Sequence, residues 1–325
     1  MEQNYRIRVF NGTHTKLVTL SILFLLSTII SAPLFAHHKP SEDKLVIGII
    51  SSKAKKHIKN TTPLANYLAG KLKDQGIKTA EVWVHNSPQQ MGQWLQAGHV
   101  DLVSETIFSG LTLQQEHGAS IELLRWKKQV DSYNSIIFAH QDSGINNLDD
   151  LIGKVIAFED KGSTSGYYVP AAILLNHGYQ LHKLRSVQDQ VEAGKIGYVF
   201  IEDQLKSSSE VSVSAWVYRK QVEAGVFSNT DWNDAAVVPE SYKNKLKIVH
   251  TSIPIPRSVV LFSPKMTAER KQKLIGALLN ADKTDDGKQA LAAFQDTKKF
   301  ELFDSNGPAL KPIMELQKTV KQSLN

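Results

Sequence analysis

Ser163-Thr164-Ser165-Gly166 sets three hydroxyl side chains and a glycine in consecutive positions. The run follows Lys154 to Phe158, which reads as a strand, and a turn, Glu159-Asp160-Lys161-Gly162. It opens Tyr167 to Asn176, which reads as a helix. The first N–H groups of a helix have no partners within it and carry a partial positive charge. Hydroxyl donors add to them, and glycine lets a ligand approach the backbone, so this is chemistry for holding an anion. Ser and Thr are also ordinary helix N-caps. Spacing alone fits the plain cap; three successive hydroxyls exceed what one cap uses and keep the anion reading open. Pro170 would meet the carbonyl of Gly166 in a continuous helix, so a separate first turn is expected, with Pro170 starting the main helix.

Other chemistry finds little support. Ten of the eleven histidines lie from His37 onward, with no i, i+4 pair on a helix, so no metal or other cofactor is expected. There is no Gly-x-Ser-x-Gly elbow and no Gly-x-Gly-x-x-Gly loop. The acid pairs Asp149-Asp150 and Asp285-Asp286 stand at helix starts, where they suit the dipole. The absence of cysteine excludes disulfides, thiol catalysis and a lipid-modified N-terminal cysteine. The expectation is a binder and not an enzyme.

The elements that position the hydroxyl run begin after an export signal. Arg6, Arg8 and Lys16 precede the apolar stretch Leu17 to Ile30, and Leu34-Phe35-Ala36 offers a cleavage site, so residues 1–36 read as a signal peptide. The apolar stretch is short for a membrane span, which needs roughly 20 residues. Without Arg6, Arg8, Lys16 and Glu2, the 38 basic and 32 acidic residues become 35 and 31, a mild net charge of +4. No long basic run of the kind that tracks nucleic acid is present. An exported, cysteine-free chain fits a bacterial periplasm.

The 289 residues from His37 are many for one core and divide naturally into two lobes. Strand-like runs at Leu45–Ile50, Thr79–Val84, Leu102–Ser104, Ile121–Trp126, Ser135–His140, Val155–Phe158, Gly197–Ile201, Val226–Ser228, Lys247–Thr251 and Ser258–Phe262 are interspersed with amphipathic stretches. The first amphipathic helix is expected at Pro63–Lys73, and Ser87-Pro88 is a helix start. The fold class is α/β: parallel or mixed sheets flanked by helices around a hinged cleft. Extended crossovers near Tyr133–Ser135 and Ile253–Pro256 divide it into a first lobe at 37–134 and 257–325 and a second at 135–256. Ligands in such sheets sit at the carboxyl ends of strands, where Ser163 and the loop after Leu102–Ser104 both fall. Glu105 in that loop is either a ligand acceptor or a strand end in solvent. Arg257 either bridges lobes or a ligand through its fork, or lies on the surface. Arg125, Lys127 and Lys128 either extend a positive field over the cleft or form a solvated turn. Of Tyr167 and Tyr168, at least one is expected in the core.

One ordered block carries a family likeness: Tyr133-Asn134-Ser135-Ile136-Ile137-Phe138, Asp142-Ser143-Gly144-Ile145, Leu148-Asp149-Asp150-Leu151-Ile152-Gly153-Lys154, Ala157-Phe158-Glu159-Asp160 and Ser163-Thr164-Ser165-Gly166-Tyr167-Tyr168-Val169-Pro170. It resembles the phosphate/phosphite/phosphonate-binding proteins of ABC transporters, periplasmic binding proteins of the two-lobed type II fold. Pro63-Leu64-Ala65-Asn66-Tyr67-Leu68 is similar to the family's first helix. The resemblance implies that Ser163, Thr164, Ser165, Gly166 and Tyr167 seat the anion. It also implies that Glu223, in Val222-Glu223-Ala224-Gly225-Val226, takes the place of an acidic ligand contact, usually Asp. The family's Gly-Pro and Tyr in the loop after the third strand are missing, and Glu105 appears there instead. The expected function is capture of a phosphorus oxyanion or phosphonate by a monomer that hands it to an ABC permease. A sensory protein serving a membrane receptor, and an exported enzyme acting on small anions, are the alternatives.

Overall fold

The computed structural model describes residues 43–205, 209–305, 307 and 310–324. The export signal, most of the loop at Lys206–Ser209 and Pro308 of the expected tail helix lie outside them. The strands are β1 (Lys44–Ile50), β2 (Thr79–His85), β3 (Leu102–Glu105), β4 (Ser120–Arg125), β5 (Ser132–Tyr133), β6 (Ser135–His140), β7 (Val155–Phe158), β8 (Gln180–Lys183), β9 (Lys195–Phe200), β10 (Ala224–Ser228), β11 (Leu246–Thr251), β12 (Ile255–Pro256), β13 (Val259–Phe262) and β14 (Phe300–Leu302). They form two six-stranded sheets, in the orders β14-β4-β13-β3-β1-β2 and β11-β6-β10-β7-β9-β8. A two-stranded antiparallel ribbon, β5 with β12, pairs Tyr133 with Ile255 where the chain passes between the sheets. Both large sheets are mixed. β1 runs parallel to β2 and β3, and β7 parallel to β9 and β10. β13, which returns through the ribbon, and β6, which leaves it, run antiparallel to their neighbours.

Central strands are apolar throughout because helices cover both faces. In β7, Ile156 and Phe158 enter one core while Val155 and Ala157 enter another on the opposite face. β1 divides in the same way, Leu45, Ile47 and Ile49 against Val46. Gly48 of β1 is required by packing: a Cβ there would lie 2.5 Å from the Met91 sulfur.

The helices are α1 (Ala54–Lys71), α2 (Pro88–Ala97), α3 (Ile107–His117), α4 (Val169–Asn176), α5 (Ile201–Leu205), α6 (Glu210–Tyr218), α7 (Asn229–Trp232), α8 (Glu240–Lys243), α9 (Ala268–Leu279), α10 (Asp285–Ala293) and α11 (Leu310–Leu324). α2 starts as its sequence signals, with Ser87 Oγ accepting from Gln90 N–H at 3.2 Å and Pro88 in the first turn. α1 begins nine residues before the expected Pro63. Its first turns are lysine-rich and its buried face starts only at Thr61, so no apolar periodicity marks the true start. α11 packs Leu310 and Ile313 into the core of the first sheet and Val320 into that of the second, although the sequence alone places it with residues 257–325 in the first lobe. Among the described residues, no helix is long and apolar enough to cross a membrane.

Candidate ligand-binding site

The hydroxyl run leaves the carboxyl end of β7 and forms a widened, π-type turn, Thr164–Tyr168, before α4. Pro170 explains the widening. It has no N–H for the Gly166 carbonyl, which accepts instead from Glu159 N–H at 3.1 Å. Tyr168 N–H reaches back five residues to Ser163 O at 3.0 Å, and Ser135 Oγ donates to Ser165 O at 2.6 Å. The separate first turn expected from Pro170 is present, and the proline is the second residue of the helix that follows. At Gly166 a Cβ would lie 2.7 Å from Ser163 Oγ and 2.9 Å from Glu159 Oε2, so only glycine fits.

The three hydroxyls divide by role. Ser163 Oγ accepts from Gly166 N–H at 2.9 Å and donates to Glu159 Oε2 at 3.0 Å, which makes it the cap of the turn. Thr164 is buried and its Oγ1 accepts from Phe108 N–H at 3.4 Å, at the first turn of α3 beside the first sheet. Ser165, also buried, and Thr164 lie beside the Tyr133 hydroxyl, and both favour its charged form. Tyr168 stacks on Phe108 with ring centroids 5.3 Å apart, so the loops at the carboxyl ends of the two sheets meet here.

Arg257 completes this face. It follows β12, its amide donates to Asp131 O at 2.7 Å, and its guanidinium lies over the Tyr133 ring, 4.5 Å from the centroid. The residue is 7% exposed, and its Nε–H has no hydrogen-bond partner. Burying a charged donor unpaired costs of order 1–3 kcal/mol or more. Burial pushes the Tyr133 phenol up, and the Arg257 charge pulls against it.

Behind Arg257 lies a second layer of charge. Arg125, at the end of β4, is buried and satisfied. Its Nε donates to Thr297 Oγ1 (2.9 Å), and its terminal nitrogens donate to Ser104 Oγ (3.2 Å), Phe294 O (2.6 Å) and Gln295 Oε1 (3.2 Å). Burial holds the Lys127 ammonium well below its usual range, helped by Arg257 and Arg125 and opposed by Glu105. Burial likewise raises Glu105, opposed by Lys127, by backbone hydrogen bonds at Ile50 and Thr106, and by Arg125. The carboxylate of Glu105 is thus met from within the protein. On the other side, burial raises the Glu159 carboxyl well above the carboxylate range, and Glu210 and Asp160 add to it.

Of the residues expected at the site, Thr164, Ser165 and Arg257 come together around Tyr133, with Ser163 and Gly166 shaping the turn, while Glu105 sits with Lys127 and Arg125 at the end of the first sheet. Two others do not join them. Tyr167 turns into the core of the second sheet, its ring 4.7 Å from Phe200 and 5.2 Å from Phe158. Glu223 precedes β10 at the opposite, amino end of the strands, where its Oε2 accepts from Val155 N–H at 2.9 Å. Sequence reasoning misses Tyr133 and the Phe108 amide as members of the site, and leaves Lys127 open between a positive field over the cleft and a solvated turn. Tyr133 stands at a crossover, which is the available signal. Among the described residues, no group of three or more His, Cys, Asp or Glu is placed to hold a metal ion.

The model of the family described as "ABC transporter, phosphonate, periplasmic substrate-binding protein" matches residues 47–306. The chain belongs to this family. It is 26% identical over 288 residues to the phosphonates-binding periplasmic protein of Escherichia coli K12, covering 83% of this chain and 74% of that one. XAC2383 of Xanthomonas citri, solved bound to ATP, is 30% identical with a TM-score of 0.79, over 87% of this chain and all of that one. PhnD1 of Prochlorococcus marinus MIT 9301, solved with methylphosphonate, shares the fold at a TM-score of 0.64 and 16% identity, over 86% of this chain and 99% of that one. The fold is that of the type II periplasmic binding proteins, and this is a periplasmic ABC substrate-binding protein of the phosphonate kind.

Proposed function

We propose that the protein captures a phosphoryl anion, as a phosphonate, a phosphate or the phosphoryl end of a larger molecule, between its two sheets and delivers it to an ABC permease. The observation that carries this is the buried, unpartnered Nε–H of Arg257 beside the hydroxyls of Ser165, Thr164 and Tyr133. A tetrahedral oxyanion takes several donors at once. Arg257 supplies a fixed fork, the hydroxyls rotate to suit, and the Phe108 amide can turn from Thr164 to the ligand. In so dry a seat each charge-assisted hydrogen bond is stronger than in water. The event is capture without chemistry, performed by a monomer exported through removal of residues 1–36. The ribbon β5–β12 is the hinge, and residues 135–256 move as one lobe against the rest. The ATP on XAC2383 favours including a phosphoryl group carried by a larger molecule.

Calorimetry with methylphosphonate, inorganic phosphate and ATP tests the reading on the wild type and Arg257→Gln. At least one ligand should bind the wild type. The variant should bind it about 10- to 100-fold more weakly, the range for a lost charge-assisted hydrogen bond. Equal affinity in the two proteins would place the anion elsewhere.

A further inference from the structure

Beside the seat, the second sheet presents carboxylates to the cleft. Asp231, on α7 just after β10, is buried; its Oδ2 accepts from Ser228 Oγ at 2.5 Å and its amide donates to that same Oγ at 3.1 Å. Its short helix is fixed beside Tyr133: Asn229 N–H donates to Asn134 O and Asn229 Oδ1 accepts from Asn134 N–H, each at 2.9 Å. A short ligand anchored on Ser165 and Arg257 with an amine at its far end would find this carboxylate within reach.

That position is already taken. Lys128 Nζ crosses from the first sheet to lie 3.5 Å from Asp231 Oδ1 and 3.9 Å from Asp234 Oδ2. The turn that presents it is unusual. Lys128 and Gln129, neither a glycine, sit at φ of 52° and 67°. The left-handed region is costly for such residues and persists only where the surroundings enforce it. Gln129 does so, its Nε2 donating to Asp296 Oδ1 at 2.7 Å and its amide to Asp296 O at 3.3 Å. The strained turn fixes the Lys128 backbone and so aims its side chain across the cleft.

We infer that Lys128 is the cleft's own counter-cation: it fills the acidic pocket of Asp231 and Asp234 and makes the site select phosphoryl anions that carry no amine. The inference rests on the phosphoryl reading above. A ligand ammonium would have to displace Lys128 or stand beside it, and the like-charge repulsion and an unpaired lysine would count against it. The Lys128–Asp231 pair also ties the two sheets together across the cleft.

The test compares methylphosphonate with 2-aminoethylphosphonate by calorimetry on the wild type, Lys128→Ala and Lys128→Arg. The wild type should prefer methylphosphonate by tenfold or more. Lys128→Ala should bring the ratio to one or invert it, and Lys128→Arg should keep the wild-type order. A ratio unchanged in Lys128→Ala, or a wild-type preference for the amine, overturns the inference while leaving the seat intact. Binding of neither ligand by any of the three overturns the selectivity along with the phosphonate reading. A urea double-mutant cycle with Asp231→Asn reads the pair without any ligand. Lys128→Ala should lower the midpoint in the wild-type background and leave it unmoved in the Asp231→Asn background; equal shifts in both overturn the pairing.

Discussion

The two ends of the parallel strands treat carboxylates in opposite ways. At the amino ends, Asp101 before β3 accepts from Val46 N–H at 2.7 Å, and Glu223 before β10 accepts from Val155 N–H at 2.9 Å. Each sheet thus closes its lower edge with an acid that takes the otherwise unclaimed amide of a neighbouring strand. At the carboxyl ends, Glu105 instead faces Lys127 and Arg125 of its own sheet, and Asp231 faces Lys128 across the cleft. An acid bonded only to backbone has nothing left to offer a ligand. An acid balanced by a movable cation can trade partners, and that difference separates a staple from a site.

The sharpest test of this division is Arg125, a carboxyl-end cation that behaves as a staple. Its donors hold Thr297, Ser104, Gln295 and the Phe294 carbonyl, and its guanidinium lies 3.7 Å from the Phe294 ring centroid. Arg125→Met leaves those acceptors buried without donors and should cost about 3–5 kcal/mol of stability in urea unfolding. If the variant unfolds as the wild type does while ligand binding collapses, Arg125 belongs to the site and the division fails there.

Asp101 is next. Burial lifts its carboxyl from 3.8 to about 6, against the pull of the Val46 amide. Well below pH 4 it is protonated in both folded and unfolded chains and contributes no difference. Between about 4 and 6 the folded chain keeps the proton that the unfolded chain has lost, so stability falls as pH rises through this window. Asp101→Asn should remove that fall of about 2–3 kcal/mol, because each tenfold change in proton affinity is worth about 1.4 kcal/mol. Glu105 and Glu159 slope the same way and Lys127 the opposite way. The difference between variant and wild type therefore isolates Asp101. Identical pH profiles for the two proteins would refute the assignment.

Ser163 and Ser165 carry the comparison into a single turn. Ser165→Ala should weaken the ligand that binds the wild type by about tenfold, the worth of one hydrogen bond to a charged group, with little change in stability. Ser163→Ala should lose about 1 kcal/mol of stability as a broken cap and leave affinity within about threefold. The reverse pattern would exchange cap and donor.

How much of this is legible in the sequence depends on the range over which each feature is encoded. Val155–Phe158 is readable because a central strand needs four apolar residues in a row. β8, with Gln180, His182 and Lys183, is not, because an edge strand is half-exposed and its pairing with β9 supplies what its composition lacks. The hydroxyl run is visible as a local cluster, and Pro170 tells where its turn must end. Its partners are only half visible. Arg257 can be read as a cation beside a crossover with its role left open, and Tyr133 as part of a crossover; both reach the run through the ribbon β5–β12, whose strands have two residues each. Such short pairing leaves no periodicity to read, and three-dimensional closure alone brings Arg257 over Tyr133. Glu223 illustrates the remaining ambiguity. A sequence shows that an acid adjoins a strand, but a strand expected at Val226 and found to begin at Ala224 decides which end the acid occupies.

Glu223 therefore supplies the smallest and most discriminating effect. Glu223→Gln keeps an oxygen for the Val155 amide, trading a charged acceptor for a neutral one, and should cost less than about 1 kcal/mol. Its ligand affinity should match the wild type, because β10 carries the residue away from Ser165 and toward the amino ends of the strands. The family resemblance alone would predict the opposite, a loss of affinity with stability intact. Calorimetry and urea unfolding on this one variant separate the two. A drop in affinity beyond tenfold would mean that an amino-end staple reaches the ligand after all, and the distinction between the two ends of the strands would not hold for the second sheet.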